Sequence, residues 1–592
     1  MKKILLNLSG RARFLKENLT HAIRAFSKKQ RVVFFAFIWI FVISSFVALW
    51  NINKYFLIEV PSSGGSLTEG VIGAPRFINP VLAISDADRD LSKLVYSGLM
   101  RATKDGTLVP DMAKSYSVSK DGVLYTFILK DNLTFHDGKP VTADDIEFTI
   151  KKVQDPATKS PKRASWDGVE IQKINDKEIR FLLSKPYAPF LENTTIGILP
   201  KHIWENIEPE QLSFSQFNID PVGSGPYKIK TIKRDGSGIP VYYDLAPFKH
   251  FSFGKPYIKN IRIKFYSNEE KLFNATVKKE IDSTYALDPK YAEKLGSKYN
   301  ILTHPMPRVF GLFFNQNQAE IFTDISVRKA LNKAVDKKMI IEEVLYGYGN
   351  AISGPIPPGS LGYRLANKNR DEKQTPDNNA STTDKTKEAI SILEKNGWKR
   401  NKEDGIMEKK NKKGTMRLKF SISTSNVPEL KDVAEKLKSQ WEAIGAQIEI
   451  KVFETSDLNQ NVIRPRKYDS LLFGEIIGRG SDLFAFWHSS QRNDPGLNIA
   501  SYANITVDKL LENIRSTRKE EDLEEKYEKL QEEIKNDIPA IFIYTPDFIY
   551  VIPKKIKGVE LGSLSTPSDR FLNIYNWFIE TDKVWKIFLK SR

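Results

Sequence analysis

Six histidines are the side chains in this sequence best suited to binding a metal or moving a proton: His21, His136, His202, His250, His304 and His488. No two stand at the short spacing that puts a pair of ligands on one helix or turn. There is no cysteine. That removes thiol catalysis, disulfides, thiolate-held metals and lipidation at an N-terminal Cys. Gly223-Ser224-Gly225 sets a serine between glycines but lacks the G-x-S-x-G spacing of a nucleophile elbow. Neither a P-loop nor a G-x-G-x-x-G opening a helix occurs. The residues therefore predict no catalytic residues, metal or cofactor.

The formal net charge is +17. Residues 1–31 hold nine Lys and Arg against one acid, Glu17, so +9 is left for the whole remainder. So thin a basic excess, with no nucleic-acid-binding motif, argues against a nucleic-acid partner. Val32–Trp50 is an uncharged apolar run of about the 20 residues that cross a bilayer as a helix. The basic block before it predicts a cytoplasmic N-terminus, with everything after Trp50 outside. Full spanning length, the long basic segment and the lack of an A-x-A-like site favour an uncleaved signal anchor over a cleaved signal peptide. Pro61–Ser66 (PSSGGS) reads as a flexible tether.

The rest is continuous α/β material without repeats. Leu124–Leu129 reads as a strand, a second short strand ends at Phe135, and His136–Pro140 has the residues of a tight turn. Thr142 and Asp145 read as a capping box, with Ile146, Ile150 and Val153 on one helix face. Arg308–Asn315 reads as an apolar strand, Val327–Asp336 as a helix and 367–387 as an exposed loop. Leu418–Ser423, a helix with Leu430, Val433, Leu437, Trp441 and Ile444 on one face, and a strand through Ile448, Ile450 and Val452 form a βαβ unit. The acidic helix 520–536 reads as a solvated face.

The wording of several segments is distinctive. Asn79-Pro80, N-x-x-F-x-D-G-x-P leading to T-A-D-D (Asn132–Asp145), Pro221–Tyr227 (PVGSGPY), Val327–Asp336 (VRKALNKAVD) and Gly354–Pro358 (GPIPP) follow one another. In this order they resemble the family 5 extracellular solute-binding proteins of bacterial ABC transporters, the oligopeptide- and dipeptide-binding type. The likeness covers about residues 67–580. It implies a two-lobed α/β periplasmic-binding-protein-like fold (type II, the large peptide-binding class) with a subdomain inserted in lobe 1, here preceded by one transmembrane helix. The implied division is a cytoplasmic basic segment 1–31, transmembrane helix 32–50, linker 51–66, lobe 1 part a 67–95, inserted subdomain 96–220, lobe 1 part b 221–307, lobe 2 308–540, and a return to lobe 1 over 541–592.

In that family a peptide lies extended between the lobes and pairs with strand edges from each. The resemblance puts the first edge at Ala83, Ile84, Ser85 and Asp86, and the second around Phe473, Gly474, Glu475 and Ile476. The loop beyond includes Arg479 and Asp482. The family's D-P-D is here Gly480-Ser481-Asp482, and Ile477 stands where oligopeptide binders place an Asp for the peptide's ammonium group. Glu475, on the same strand face as Ile477, either replaces that acid as a buried partner for an ammonium group or faces water at the cleft rim. Arg479 either captures a carboxylate or lies on the surface. Phe484, Phe486 and Trp487 read as core packing ahead of ligand contact.

The expected function is capture of peptides by hinge closure and delivery to an ABC transporter permease, from a single-pass anchor in the cell membrane. A ligand-sensing receptor, a peptide-holding chaperone-like role, and a nickel complex or oligosaccharide as ligand are the alternatives.

Overall fold

The computed structural model describes residues 25–367, 381–412 and 414–588. They form two units, one ending at Ser62 and resuming at Glu580, the other Ser63–Ile579.

In the first unit α1 (Lys28–Phe56) starts from a capping box in which the Ser27 N–H donates to Gln30 Oε1 at 2.9 Å. Its 29 residues rise about 43 Å, and none is buried. The apolar run 32–50 lies inside it. The tether reading of Pro61–Ser66 is corrected: β1 (Leu57–Ser62) pairs antiparallel with the strand Glu580–Trp585. Gly64 already opens the next strand, because two consecutive chains with pairing partners leave no free linker.

In the second unit β2 (Gly64–Ile72) leads through a buried turn to α2 (Asp86–Val95). Asn79 makes that turn, its side chain accepting the Val81 N–H at 2.9 Å. A separate four-stranded antiparallel sheet spans residues 113–182 and includes β3 (Leu124–Leu129). It packs against α3 (Ala143–Gln154), which buries Ile146, Ile150 and Val153. The Asp145 carboxylate accepts the Thr142 N–H at 2.8 Å. No second strand ends at Phe135: only an isolated bridge joins Thr134 to Pro140. The turn after it instead locks two motifs together. His136 N–H donates to the Gly223 carbonyl at 2.7 Å, and its Nε2 meets the Gly225 carbonyl at 3.1 Å. Glycine is needed there because a Cβ at position 223 would lie 2.1 Å from the Val95 carbonyl oxygen. Then β4 (Ile258–Tyr266) pairs in parallel with β2, and strands Pro240–Pro247 and Tyr227–Arg234 extend the sheet.

Lobe 2 begins with β5 (Arg308–Phe314). The helix after it stops at Ala334, because Asp336 caps a new helix, Lys337–Val344. Of the loop expected over 367–387, residues 368–380 lie outside the described residues, and the rest is corrected: Ser381 caps a helix, Thr382–Lys395. β6 (Lys419–Ser425), α4 (Pro428–Ala443) and β7 (Gln447–Phe453) form the βαβ unit, with the strands parallel. β8 (Ser470–Ile476) lies between β6 and β5. α5 (Ile505–Ser516) and the acidic helix Glu520–Asp537 cover one face of this sheet. The acidic helix is not wholly solvated, since it buries Leu523, Tyr527, Leu530 and Ile534.

β9 (Ala540–Ile552) belongs to both lobes. Its first residues pair with β5, and Asp547–Ile552 pair with Asn300–Pro305. The apolar cores part at the same places. One takes Met306 and Phe548, while the lobe 2 cores take Val309 and Tyr544. At this double crossing the Thr545 hydroxyl donates to the Met306 carbonyl at 2.8 Å.

Candidate ligand-binding site

β8 pairs with β5 from Ser470 to Ile476, and beyond it the Ile477 N–H donates to the Pro307 carbonyl at 2.9 Å. Along an antiparallel strand successive residues turn their N–H and C=O to opposite edges. Residues in step with Ile477 therefore serve β5, and Gly474 and Ile476 serve the other edge. There β6 reaches only Ser470 and Leu471, and the Thr424 hydroxyl takes the Leu472 carbonyl at 3.1 Å. The edge at Gly474 and Ile476 thus has no strand partner among the described residues. It is a template for an added extended chain.

The side chains around this edge differ by face. A Cβ at Gly474 would lie 2.6 Å from the Phe310 ring, which stacks on Tyr544 with centroids 4.9 Å apart. Glycine is required by that close approach. Ile476 is 60% exposed and stands opposite Arg308. Arg308 Nε is buried with no partner among the described residues. Burial lowers the pKa of its guanidinium, against the pull of Asp86 and Glu429.

On the opposite face Glu475 is 4% exposed, so it does not face water at a rim. Its neighbours on that face, Phe473 and Ile477, belong to an apolar core. Neither carboxyl oxygen has a hydrogen-bond partner among the described residues, and burial pushes the pKa well up. An orphaned buried carboxyl of this kind costs free energy and asks for a counterpart.

The first-lobe edge is corrected. Residues 83–86 form no strand, because the Ser85 hydroxyl caps α2 by accepting the Asp88 N–H at 3.1 Å. Asp86 lies in the first turn, 3.5 Å from Arg89, and Ile84 is 59% exposed. Ala83 lines a cavity of about 290 Å3 walled by Arg89, Lys93, Lys162, Glu192 and Asp569.

Arg479 of lobe 2 lines the same cavity and is buried rather than on the surface. Its guanidinium donates to Glu192 at 2.6 Å, Asp569 at 2.9 Å and the Ser563 carbonyl at 3.0 Å. All three partners belong to lobe 1. Burial would raise the Asp569 pKa, but Lys93 and Arg479 outweigh it and hold the carboxyl at about 2. Asp482 is held by Arg515 at 2.7 and 2.9 Å and accepts the Tyr187 hydroxyl of lobe 1 at 3.1 Å. The Ala188 N–H donates to the Arg515 carbonyl at 2.8 Å. Arg479 and Asp482 therefore stitch the two lobes together. Trp487 is fully buried, while Phe484 stacks under Arg515 at 3.9 Å.

Sequence reading missed Glu192, Asp569, Tyr187, Arg515 and Arg308. The side chains that the first four meet lie tens to hundreds of residues away, and Arg308 is brought to the site only by strand pairing with Ile476, so no local spacing could flag them. Among the described residues no group of three His, Asp or Glu side chains is placed to hold a metal.

A family profile described as "Bacterial extracellular solute-binding proteins, family 5 Middle" matches residues 107–495. The chain belongs to this family. As a family 5 protein it is an extracytoplasmic solute-binding protein with the two-lobed α/β fold. It is 28% identical over 527 residues to the oligopeptide-binding protein AppA of Bacillus subtilis, covering 88% of this chain and 92% of the relative. The structure of that AppA in complex with a nonapeptide superposes with a TM-score of 0.65, at 26% identity over 88% of this chain and 100% of the other. NikZ of Campylobacter jejuni in complex with Ni(L-His) gives a TM-score of 0.66, at 29% identity over 87% and 99% of the two chains.

Proposed function

We propose that this family 5 protein captures peptides, acting by binding and not by catalysis. An extended peptide adds to the open edge of β8, hydrogen-bonding to Gly474 and Ile476, with Phe473 and Ile476 against its side chains. Glu475 receives a cationic group of the ligand. The cavity at Ala83 and Arg479 takes a further part of it, beside Ile84, Ser85, Asp86 and Asp482 at the lobe boundary. Closure of the lobes over the ligand couples binding to the contacts of Arg479 and Asp482. The closed form delivers the peptide to the permease of an ABC transporter. α1 holds the protein in the cell membrane, with the binding unit outside, as its length and the basic segment before it support.

The observation that carries this reading is the unpaired strand edge beside a buried carboxyl without a partner. The relatives named for oligopeptides support it. Native mass spectrometry of the full chain, purified from its own cells, tests it. A ladder of peptide masses is expected, and a sugar, a metal complex or no ligand overturns the peptide assignment. Retention of the full-size chain in carbonate-washed membranes tests the anchor, and release into the soluble fraction overturns it.

A further inference from the structure

The first unit carries more than a helix. The strand 580–585 pairs with β1 over six residues, from Leu57 opposite Trp585 to Ser62 opposite Glu580. The Trp585 ring stacks on Phe56 at 5.8 Å between centroids, and its indole N–H donates to Asn53 Oδ1 at 2.7 Å. The strand is thereby fixed to the end of α1. A two-stranded ribbon is marginally stable on its own in water, and no residue of either strand is fully buried. Trp585 is 36% exposed and Ile587 74%, beside the exposed Ile52, Tyr55 and Phe56. So much exposed apolar surface requires a cover that the described residues of this unit do not supply.

The polarity of the ribbon is graded. Its helix end gathers Ile52, Tyr55, Phe56, Trp585 and Ile587, together with the exposed Lys54 and Lys586. Glu59 and Lys583 face each other in the middle, and Asp582 and Glu580 lie toward the other end. At about 3.4 Å per residue, Glu580 lies about 17 Å along the strand from Trp585. Asn53, where Trp585 attaches, is about 4.5 Å along the helix beyond Trp50, the last residue of the apolar run. That is the level at which tryptophan and tyrosine collect and lysine meets anionic headgroups.

We propose that residues 580–588, with Tyr55 and Phe56, form a collar seated in the lipid headgroup layer. Trp585 and Ile587 enter the interface, and Lys54 and Lys586 meet anionic headgroups. This rests on the anchor reading above. The occupant is lipid because the exposed Ile52, Tyr55, Phe56, Trp585 and Ile587, with Lys54 and Lys586, gather at the ribbon end continuous with the spanning helix, while Asp582 and Glu580 stand toward the other end.

The lack of cysteine makes single labels unique. The full chain bearing Val42→Cys, Ile587→Cys or Glu580→Cys is labelled with an environment-sensitive fluorophore. It is then reconstituted into phosphatidylcholine–phosphatidylglycerol vesicles with and without brominated acyl chains. Val42 and Ile587 labels are expected to shift to the blue and be quenched by brominated lipid, with the Glu580 label unaffected. A quenched Val42 label beside an Ile587 label as wet as that at Glu580 overturns the collar and leaves the anchor standing. An unquenched Val42 label overturns both. A blue-shifted Ile587 label that brominated lipid does not quench means that protein covers the patch, and also overturns the collar.

Discussion

Two buried arginines in the binding unit make the same kind of bonds in different settings. Arg570 donates to Asp90 at 2.7 and 2.8 Å and to Glu69 at 3.0 Å, and sits over the rings of Tyr285 and Phe571 at 4.1 and 4.0 Å. Every partner belongs to lobe 1, so this guanidinium loses its water when the lobe folds. Arg479 of lobe 2 finds all three of its side-chain partners on lobe 1. It is desolvated only when the lobes meet. The first arginine is a matter of stability and the second a matter of state.

Removing them should separate the two roles. Arg570→Met leaves Glu69 and Asp90 buried without a countercharge, at a cost of about 3–5 kcal/mol in urea unfolding. Equal losses of folding stability from Arg570→Met and Arg479→Met would break the distinction.

Acid probes the same contrast. His136 is packed under the Gly223–Gly225 turn, and burial holds its pKa down at about 4 against an ordinary 6.5. The unfolded chain therefore binds the extra proton between those values. The contribution of His136 is complete above about pH 6.5 and is lost as pH falls to about 4, a difference of about 3 kcal/mol. Asp569, held at about 2, keeps its charge throughout that range. Lobe 1 should weaken between pH 6.5 and 4 while the Arg479 contact persists. Denaturation curves of wild type and His136→Gln against pH check this, and an unchanged pH slope in the variant counts against it.

Arg479→Met should matter less for folding, because Lys93 at 3.3 Å and the N–H groups of Ser565 and Thr566 still hold Asp569. The expected loss is about 1–2 kcal/mol of lobe–lobe association, or about a five- to thirty-fold weaker ligand affinity. Titration calorimetry measures it, and small-angle scattering should show a wider unliganded particle. Unchanged affinity would mean that the Arg479 contacts do not report closure.

The scaffold could be read locally because its signals are local. The Thr142–Asp145 cap, the helix face of α4 and the β6–α4–β7 unit each lie within a few dozen residues. His136 and Gly223 show the limit. Both motifs were readable, but their contact across 87 residues was not. The edge at Phe473–Ile476 came from resemblance alone, and its openness depends on how far β6 runs. Ala83–Asp86 failed as a strand because Ser85, read as an edge residue, is a helix cap. Arg479 read as either a carboxylate partner or a surface residue because partners separated from it by 84 to 287 residues leave no trace in local spacing.

Glu475 completes the contrast as a buried carboxyl with no hydrogen-bond partner among the described residues. Its pKa is raised by burial, so folding takes up a proton. Its contribution is intact below about pH 4.5 and is lost as pH rises toward the folded value, at about 1.4 kcal/mol per unit. Glu475→Gln should remove that slope in the unliganded protein with little other effect on stability. A ligand cation reverses the balance, since an ionised carboxylate pairs with it inside an apolar wall where water competes poorly. Peptides differing only by Lys or Gln at one position should then show a preference for Lys at pH 7 that Glu475→Gln reduces by about tenfold. Calorimetric titration of the two peptides against both proteins measures this. A preference for Lys that survives the substitution would show that the carboxyl meets no ligand, leaving the open edge of β8 to bind through the peptide backbone alone.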